Sequence, residues 1–285
     1  MKVVRLAWVL TLALMIMPPT TVAQTLEQLW QQGETAQAQK KYPEAERIWR
    51  QIIQIDPNSA VAFSNLCAAL FRQNKLDEAP IFCQKALALD PKLPETYNNL
   101  GIVLANQKKL TEAEEMFRRA LALDDKYVYA YNNLGLVLSD QKKLTEAEEM
   151  FRRALDLPDD TTGTPTTAHT LAYNNLGNVL YDQKKLKEAE EMYRRAIALD
   201  DQYVYAYNGL GNVLSDQKKL TEAEEMYRRA LALDDQYVNA YNNLGNVLRA
   251  QNKLTEAEEM YRRAIALDDK SVFAYYNLGN VLSDQ

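Results

Sequence analysis

The chain has 285 residues, 47% of them hydrophobic and 25% charged, with only 9 Gly and 9 Pro. So few turn-formers, beside abundant Ala, Leu, Glu, Lys and Arg, favour helices over sheet. The formal charge of −6, from 33 basic and 39 acidic residues, supplies no basic field for nucleic acid.

At the N-terminus, Lys2 and Arg5 precede a twelve-residue apolar run, Leu6 to Met17. Pro18-Pro19 interrupts it, and Thr21-Val22-Ala23 offers the small residues of a cleavage site. The run falls short of the ~20 apolar residues of a comfortable membrane span. Residues 1–23 are therefore predicted to be a cleavable signal peptide, with mature protein from Gln24, secreted or periplasmic.

A repeat follows. Leu-Gly pairs stand at Leu100-Gly101, Leu134-Gly135, Leu176-Gly177, Leu210-Gly211, Leu244-Gly245 and Leu278-Gly279, spaced 34, 42, 34, 34 and 34 residues apart. Stepping back by 34 from Gly101 leads to Cys67 and then Gly33. The array is read as 26–285, with units 26–59, 60–93, 94–127, 128–169, 170–203, 204–237 and 238–271 and a half repeat 272–285. Within the third unit, Tyr97, Leu100, Gly101 and Leu104 form one helical stripe. Leu110, Ala113, Phe117 and Ala120 form a second. Gln107-Lys108-Lys109 is the turn between them. Thr111/Glu114, Thr145/Glu148, Thr221/Glu224 and Thr255/Glu258 read as capping boxes. Glu114/Arg118 and Glu115/Arg119, four apart, read as ion pairs on a solvated face.

With its 34-residue period and its Tyr97, Leu100-Gly101, Ala113, Phe117 and Ala120, the chain closely resembles the tetratricopeptide repeat family. Pro57 and Pro91 fit that family's closing Pro, while Asp125, Asp201, Asp235 and Asp269 depart from it. The resemblance implies an all-α, right-handed superhelix of helix pairs whose first helices line a concave groove that binds peptides or proteins. It also admits a structural, self-associating spacer, or the detached repeat half of a repeat-linked glycosyltransferase.

Some residues break the pattern. Trp30, Trp49, Phe63, Phe71 and Phe82 mark the first two units as an atypical N-terminal cap. Cys67 takes the place of the inter-helix Gly and Cys83 that of the facing aromatic, so both point into one seam. Export then predicts a Cys67–Cys83 disulfide. Residues 158–167, rich in Thr, Pro and Gly, read as an inserted surface loop, with His169 as a loop residue. The half repeat is expected to expose Tyr275, Leu278, Val281 and Leu282, so that the chain is either a fragment of a longer array or has an end open to docking or self-association.

No phosphate loop, nucleophile with a His partner, or zinc-spaced Cys pair occurs. The expectation is a non-enzyme without cofactor or metal. Binding is assigned to amides of the first helices. In the fifth unit Asn174, Asn175 and Asn178 lie across the helix from Tyr173, Leu176 and Leu180. Asn98, Asn99, Asn132, Asn133, Asn208, Asn212, Asn242, Asn243 and Asn246 continue the ladder, and Tyr129 and Tyr205 serve as aromatic anchors. An amide offers a donor and an acceptor to a peptide backbone without reading its side chains. The expected ligand is an extended, sequence-tolerant peptide whose binding depends weakly on salt.

Overall fold

The computed structural model describes residues 19–158 and 167–285. Residues 1–18 of the expected signal peptide and residues 159–166 of the expected loop lie outside them. The described residues form fifteen α-helices and no strand. They fall into two compact units that divide between Asp125 and Lys126.

The first unit holds α1 (Pro19–Ala38), α2 (Tyr42–Ile55), α3 (Ala60–Arg72), α4 (Ala79–Leu89), α5 (Pro94–Asn106) and α6 (Leu110–Leu123). The second holds α7 (Val128–Asp140), α8 (Leu144–Asp156), α9 (Ala168–Asp182), α10 (Leu186–Leu199), α11 (Val204–Asp216), α12 (Leu220–Leu233), α13 (Val238–Ala250), α14 (Leu254–Leu267) and α15 (Val272–Asp284). In each unit a first helix packs most extensively on its own second helix, and each pair packs on the next. The first helix, α1, begins at Pro19, a residue suited to an opening turn, ahead of Leu26.

Each pair turns on a left-handed residue. Lys108 has φ 63°, and Lys40, Asn74, Lys142, Lys184, Lys218 and Asn252 adopt the same conformation. After α5, the Lys109 N–H donates to Leu104 O and the Lys108 N–H to Ala105 O, which satisfies the last carbonyls of the helix. This turn also corrects the expected capping boxes. The N-caps of α6, α8, α12 and α14 are Lys109, Lys143, Lys219 and Lys253, without side-chain caps, so each Thr sits inside the first turn. The Ala113 N–H already donates to Lys109 O. The geometry of the tight turn, rather than a hydroxyl, starts the second helix.

The inner Glu of α2, α8, α10 and α12 (Glu46, Glu148, Glu190 and Glu224) ties one repeat to the next. Burial raises the Glu224 carboxyl, but hydrogen bonds from Lys253, Arg228 and Gln251 outweigh that and hold it below 4.5. Lys253 Nζ lies 2.8 Å from Glu224 and Lys185 Nζ 2.9 Å from Glu148, each Lys belonging to the following repeat. The Glu224 side chain is only 13% exposed, whereas both partners of the outer pair Glu115–Arg119 are over half exposed. The solvated-face reading therefore holds for the outer pair alone.

The core of each pair is a glycine wedge. A Cβ on Gly101 would fall 2.7 Å from the Phe117 ring, and on Gly211 2.6 Å from the Tyr227 ring. Ala113, Phe117, Tyr227 and their equivalents are buried behind these contacts. In the first unit, Gly33 receives Trp49, which meets Trp30 edge-on at 5.0 Å. At the equivalent point of the second repeat, Cys67 and Cys83 are bonded, with Cα atoms 5.4 Å apart and both side chains fully buried. A covalent bridge thus stands where the other repeats press an aromatic ring on a glycine.

Two local expectations are revised. His169 is helical, because Thr167 caps α9 by accepting from the Thr170 N–H and extends the helix to Ala168. At α15, Leu278 and Val281 are buried, while Val272, Phe273, Tyr275, Tyr276 and Leu282 are exposed. Helix α15 packs on α14, and among the described residues no element covers these exposed side chains.

Candidate functional site

The first helices carry the candidate amides, and burial divides these into two sets. Asn98, Asn132, Asn174 and Asn208 are buried, each no more than 9% exposed. They are structural. Asn132 Nδ2 donates to Ala168 O of the next first helix (3.1 Å), and Asn208 Oδ1 accepts from Asn243 Nδ2 (3.1 Å). Asn174 Nδ2 donates to Asn175 Oδ1. Placing these four on the open groove is therefore corrected: one residue from the exposed stripe, a helical side chain turns ~100° into the seam between repeats. Asn242 is half-buried, with its Oδ1 enclosed.

The second set is accessible. Asn99, Asn133, Asn175, Asn212 and Asn243 are half-buried, and Asn178 and Asn246 are exposed. In the first unit, Asn99 lines a concavity with Phe71, Arg72 and Ile102. In the second unit, a feature that sequence reasoning missed organises the set. Tyr193 Oη donates to Asn178 Oδ1, Tyr227 Oη to Asn212 Oδ1 and Tyr261 Oη to Asn246 Oδ1, each at 2.7 Å. Asn243 Nδ2 and Asn277 Nδ2 add second donors to Asn212 and Asn246.

These bonds fix the amides. With every Oδ1 accepting, the free end of Asn178, Asn212 and Asn246 is the Nδ2 donor, and among the described residues it is given to no acceptor. Burial pushes the Tyr261 hydroxyl up to about 12, and it raises those of Tyr193 and Tyr227 further, so all three stay protonated donors. The sequence did carry a signal. Where the second helix has Phe117 or Phe151, the first has Ile102 or Leu136; where it has Tyr193, Tyr227 or Tyr261, the first has Asn178, Asn212 or Asn246.

The two anchors differ. Tyr129 is half-buried against Tyr127, and Tyr205 is 57% exposed. Among the described residues no three His, Cys, Asp or Glu side chains converge to hold a metal ion, and no helix is long and apolar enough to cross a membrane.

Tetratricopeptide-repeat models match residues 29–59, 58–126, 92–160, 127–202, 171–236 and 202–270. No curated protein matches the chain. Among solved structures, Pseudomonas aeruginosa PilF is similar at 19% identity and TM-score 0.67, covering 79% of this chain and 97% of that one. PilW, described as a widely conserved type IV pilus biogenesis factor, is similar at 21% identity and TM-score 0.68, over 78% of this chain and 98% of its own. A tetratricopeptide repeat protein of Parabacteroides merdae gives 17% identity and TM-score 0.64, over 91% and 99%. At these identities the likeness is one of fold. That fold is generally a non-catalytic scaffold for protein–protein interaction. The repeat models span most of the sequence, and the chain belongs to the tetratricopeptide repeat family.

Proposed function

We propose that the chain is an extracytoplasmic, non-enzymatic scaffold that holds an extended peptide or partner segment along its first helices. One observation carries this reading: Asn178, Asn212 and Asn246 are pinned by tyrosine hydroxyls so that each presents an amide donor. Donors repeated on successive first helices suit the carbonyls of an extended backbone, and preorganisation removes part of the ordering cost of binding. Half-buried Asn175 and Asn243 flank the row. The export half of the reading rests on the signal-peptide pattern of residues 1–23. N-terminal sequencing of protein recovered from the host should give Gln24, and a retained Met1 would reject it.

The groove is tested by converting repeats five to seven to the pairing already used in repeats three and four. Asn178→Leu/Tyr193→Phe, Asn212→Leu/Tyr227→Phe and Asn246→Leu/Tyr261→Phe together keep the seam packed and remove the donors. Photo-crosslinking from position 175 in the parent should trap a partner peptide. The six-fold variant should keep its helicity and lose the adduct. Undiminished crosslinking would reject the groove.

A second reading, self-association, is favoured by the open face of α15, where Phe273 is 78% and Tyr276 69% exposed. Light scattering across a concentration series separates the two, since a peptide scaffold needs no mass increase.

A further inference from the structure

The first helices of the second unit are short of positive charge. Between Val128 and Asp284 they carry Asp140, Asp182, Asp216 and Asp284 against a single Arg249 and no Lys. Arg249 is already engaged, its Nε 2.7 Å from Asp284. Asp140 and Asp182 are exposed, and Asp216 accepts only a neutral hydroxyl, from Tyr181 at 2.9 Å.

At the N-terminal end of the same stripe stands an aromatic corner. Tyr205 lies seven residues before Asn212 and eleven before Asp216, on one face of α11. Its ring meets Tyr203 at 5.4 Å and Tyr237 at 5.6 Å, edge-on in both cases, and Tyr205 remains 57% exposed. Other aromatic rings of the chain hold their own cations: Arg119 over Tyr97 at 6.0 Å, Arg195 over Tyr173 at 5.8 Å, Lys184 over Tyr181 at 5.3 Å. Among the described residues, no cation of the chain covers Tyr203, Tyr205 or Tyr237.

The loops beside this corner also differ from their siblings in charge. The loops entering α7 and α15 read Asp-Asp-Lys, with Lys126 and Lys270, whereas those entering α11 and α13 read Asp-Asp-Gln, with Gln202 and Gln236. The exposed carboxylates Asp201 and Asp235 accept from these neutral amides, at 2.9 Å each. A ring presents its negative face to a cation, and nearby carboxylates add to that attraction.

We infer that this corner takes an arginine or lysine side chain, so that the segment held in the groove is a basic one. The cation stacks on Tyr205, with Asp201 and Asp235 as counter-charges and Asp182 and Asp216 extending the acidic track. The inference rests on the peptide-scaffold reading and adds charge selectivity, which amides alone do not give. It also replaces the weak salt dependence expected of a backbone-only contact with a marked one.

The test uses the purified chain and two fluorescent twelve-residue peptides of Gly, Ser and Thr, one carrying four arginines and the other four glutamates. Anisotropy should show the arginine peptide binding at least ~10-fold tighter at low salt, with the difference shrinking as salt rises. Gln202→Lys/Gln236→Lys restores the residue of the sibling loops, so folding is preserved, and it should weaken the arginine peptide about 5- to 10-fold. Tyr205→Ala should weaken it about 2- to 5-fold. Equal binding of both peptides, with the six-fold Asn/Tyr variant weakening each, would overturn the cationic ligand and leave the scaffold standing. Tighter arginine binding that ignores Gln202→Lys/Gln236→Lys and Tyr205→Ala would overturn the site. Binding of neither peptide overturns both readings.

Discussion

The glycine wedge makes two chemically identical substitutions behave oppositely. In Gly211→Ala the new methyl falls 2.6, 2.8 and 2.9 Å from three atoms of the Tyr227 ring, all closer than carbon atoms tolerate. The ring cannot retreat easily: it is 2% exposed, and its hydroxyl is tied to Asn212 at 2.7 Å. Overpacking of this kind costs about 1–3 kcal/mol, while the better helix propensity of Ala returns about 1 kcal/mol. A net loss of up to about 2 kcal/mol is expected, with the α11–α12 pair opening first. At Gly279, the same position of α15, an added Cβ meets nothing within 4 Å. Gly279→Ala should therefore only gain, by roughly 0.5–1 kcal/mol in the last helix. Hydrogen exchange is the suitable assay, because repeat arrays open locally and a single melting temperature averages over them. Faster exchange in α11 and α12 for the first variant and slower exchange in α15 for the second is the expected result. If Gly211→Ala exchanges no faster than the parent, the wedge is not what holds the pair together.

Two further predictions concern the repeat junctions. Glu46, Glu148, Glu190 and Glu224 all titrate below 4.5 because, against the opposing effect of burial, Lys, Gln and Arg partners favour their charged forms. A lowered folded-state value stabilises above the unfolded value and is lost as pH falls through the folded one. Urea midpoints should thus hold from neutral pH to about 4.5 and decline below it, and Glu224→Gln should flatten that decline. Reducing Cys67–Cys83, which lie 16 residues apart, should destabilise the second repeat by about 3 kcal/mol in the chain-entropy view. A thermal melt unmoved by reductant would contradict it.

What the sequence revealed depended on how many residues each feature required at once. The helices were legible because every repeat restates the same apolar spacing, and Gly101, Ala113 and Phe117 need only their own pair to be placed. The starts of the second helices were misread for a local reason: Thr-Glu-Ala-Glu fits a capping box, but a left-handed Lys108 turns the chain so that the helix is capped two residues earlier, at Lys109. Side-chain charge was misjudged for a longer-range one, since Glu148 and Lys185 are 37 residues apart and meet only when two repeats stack. The candidate site shows the same division. Helical geometry put the asparagines on one side of each first helix, yet a shift of one position separates buried Asn174 from half-buried Asn175. Which asparagine is held, and by which atom, depends on a tyrosine fifteen residues further on. The Ile/Phe and Asn/Tyr pairings were visible in the repeats, but they acquire meaning only once both helices share a seam. A repeat protein records its fold in what recurs, and its specificity in the positions where one repeat departs from the next. By that reasoning the exchange of Lys126 and Lys270 for Gln202 and Gln236 is a stronger pointer to the proposed ligand than the asparagines that recur at Asn99, Asn133, Asn175 and Asn243.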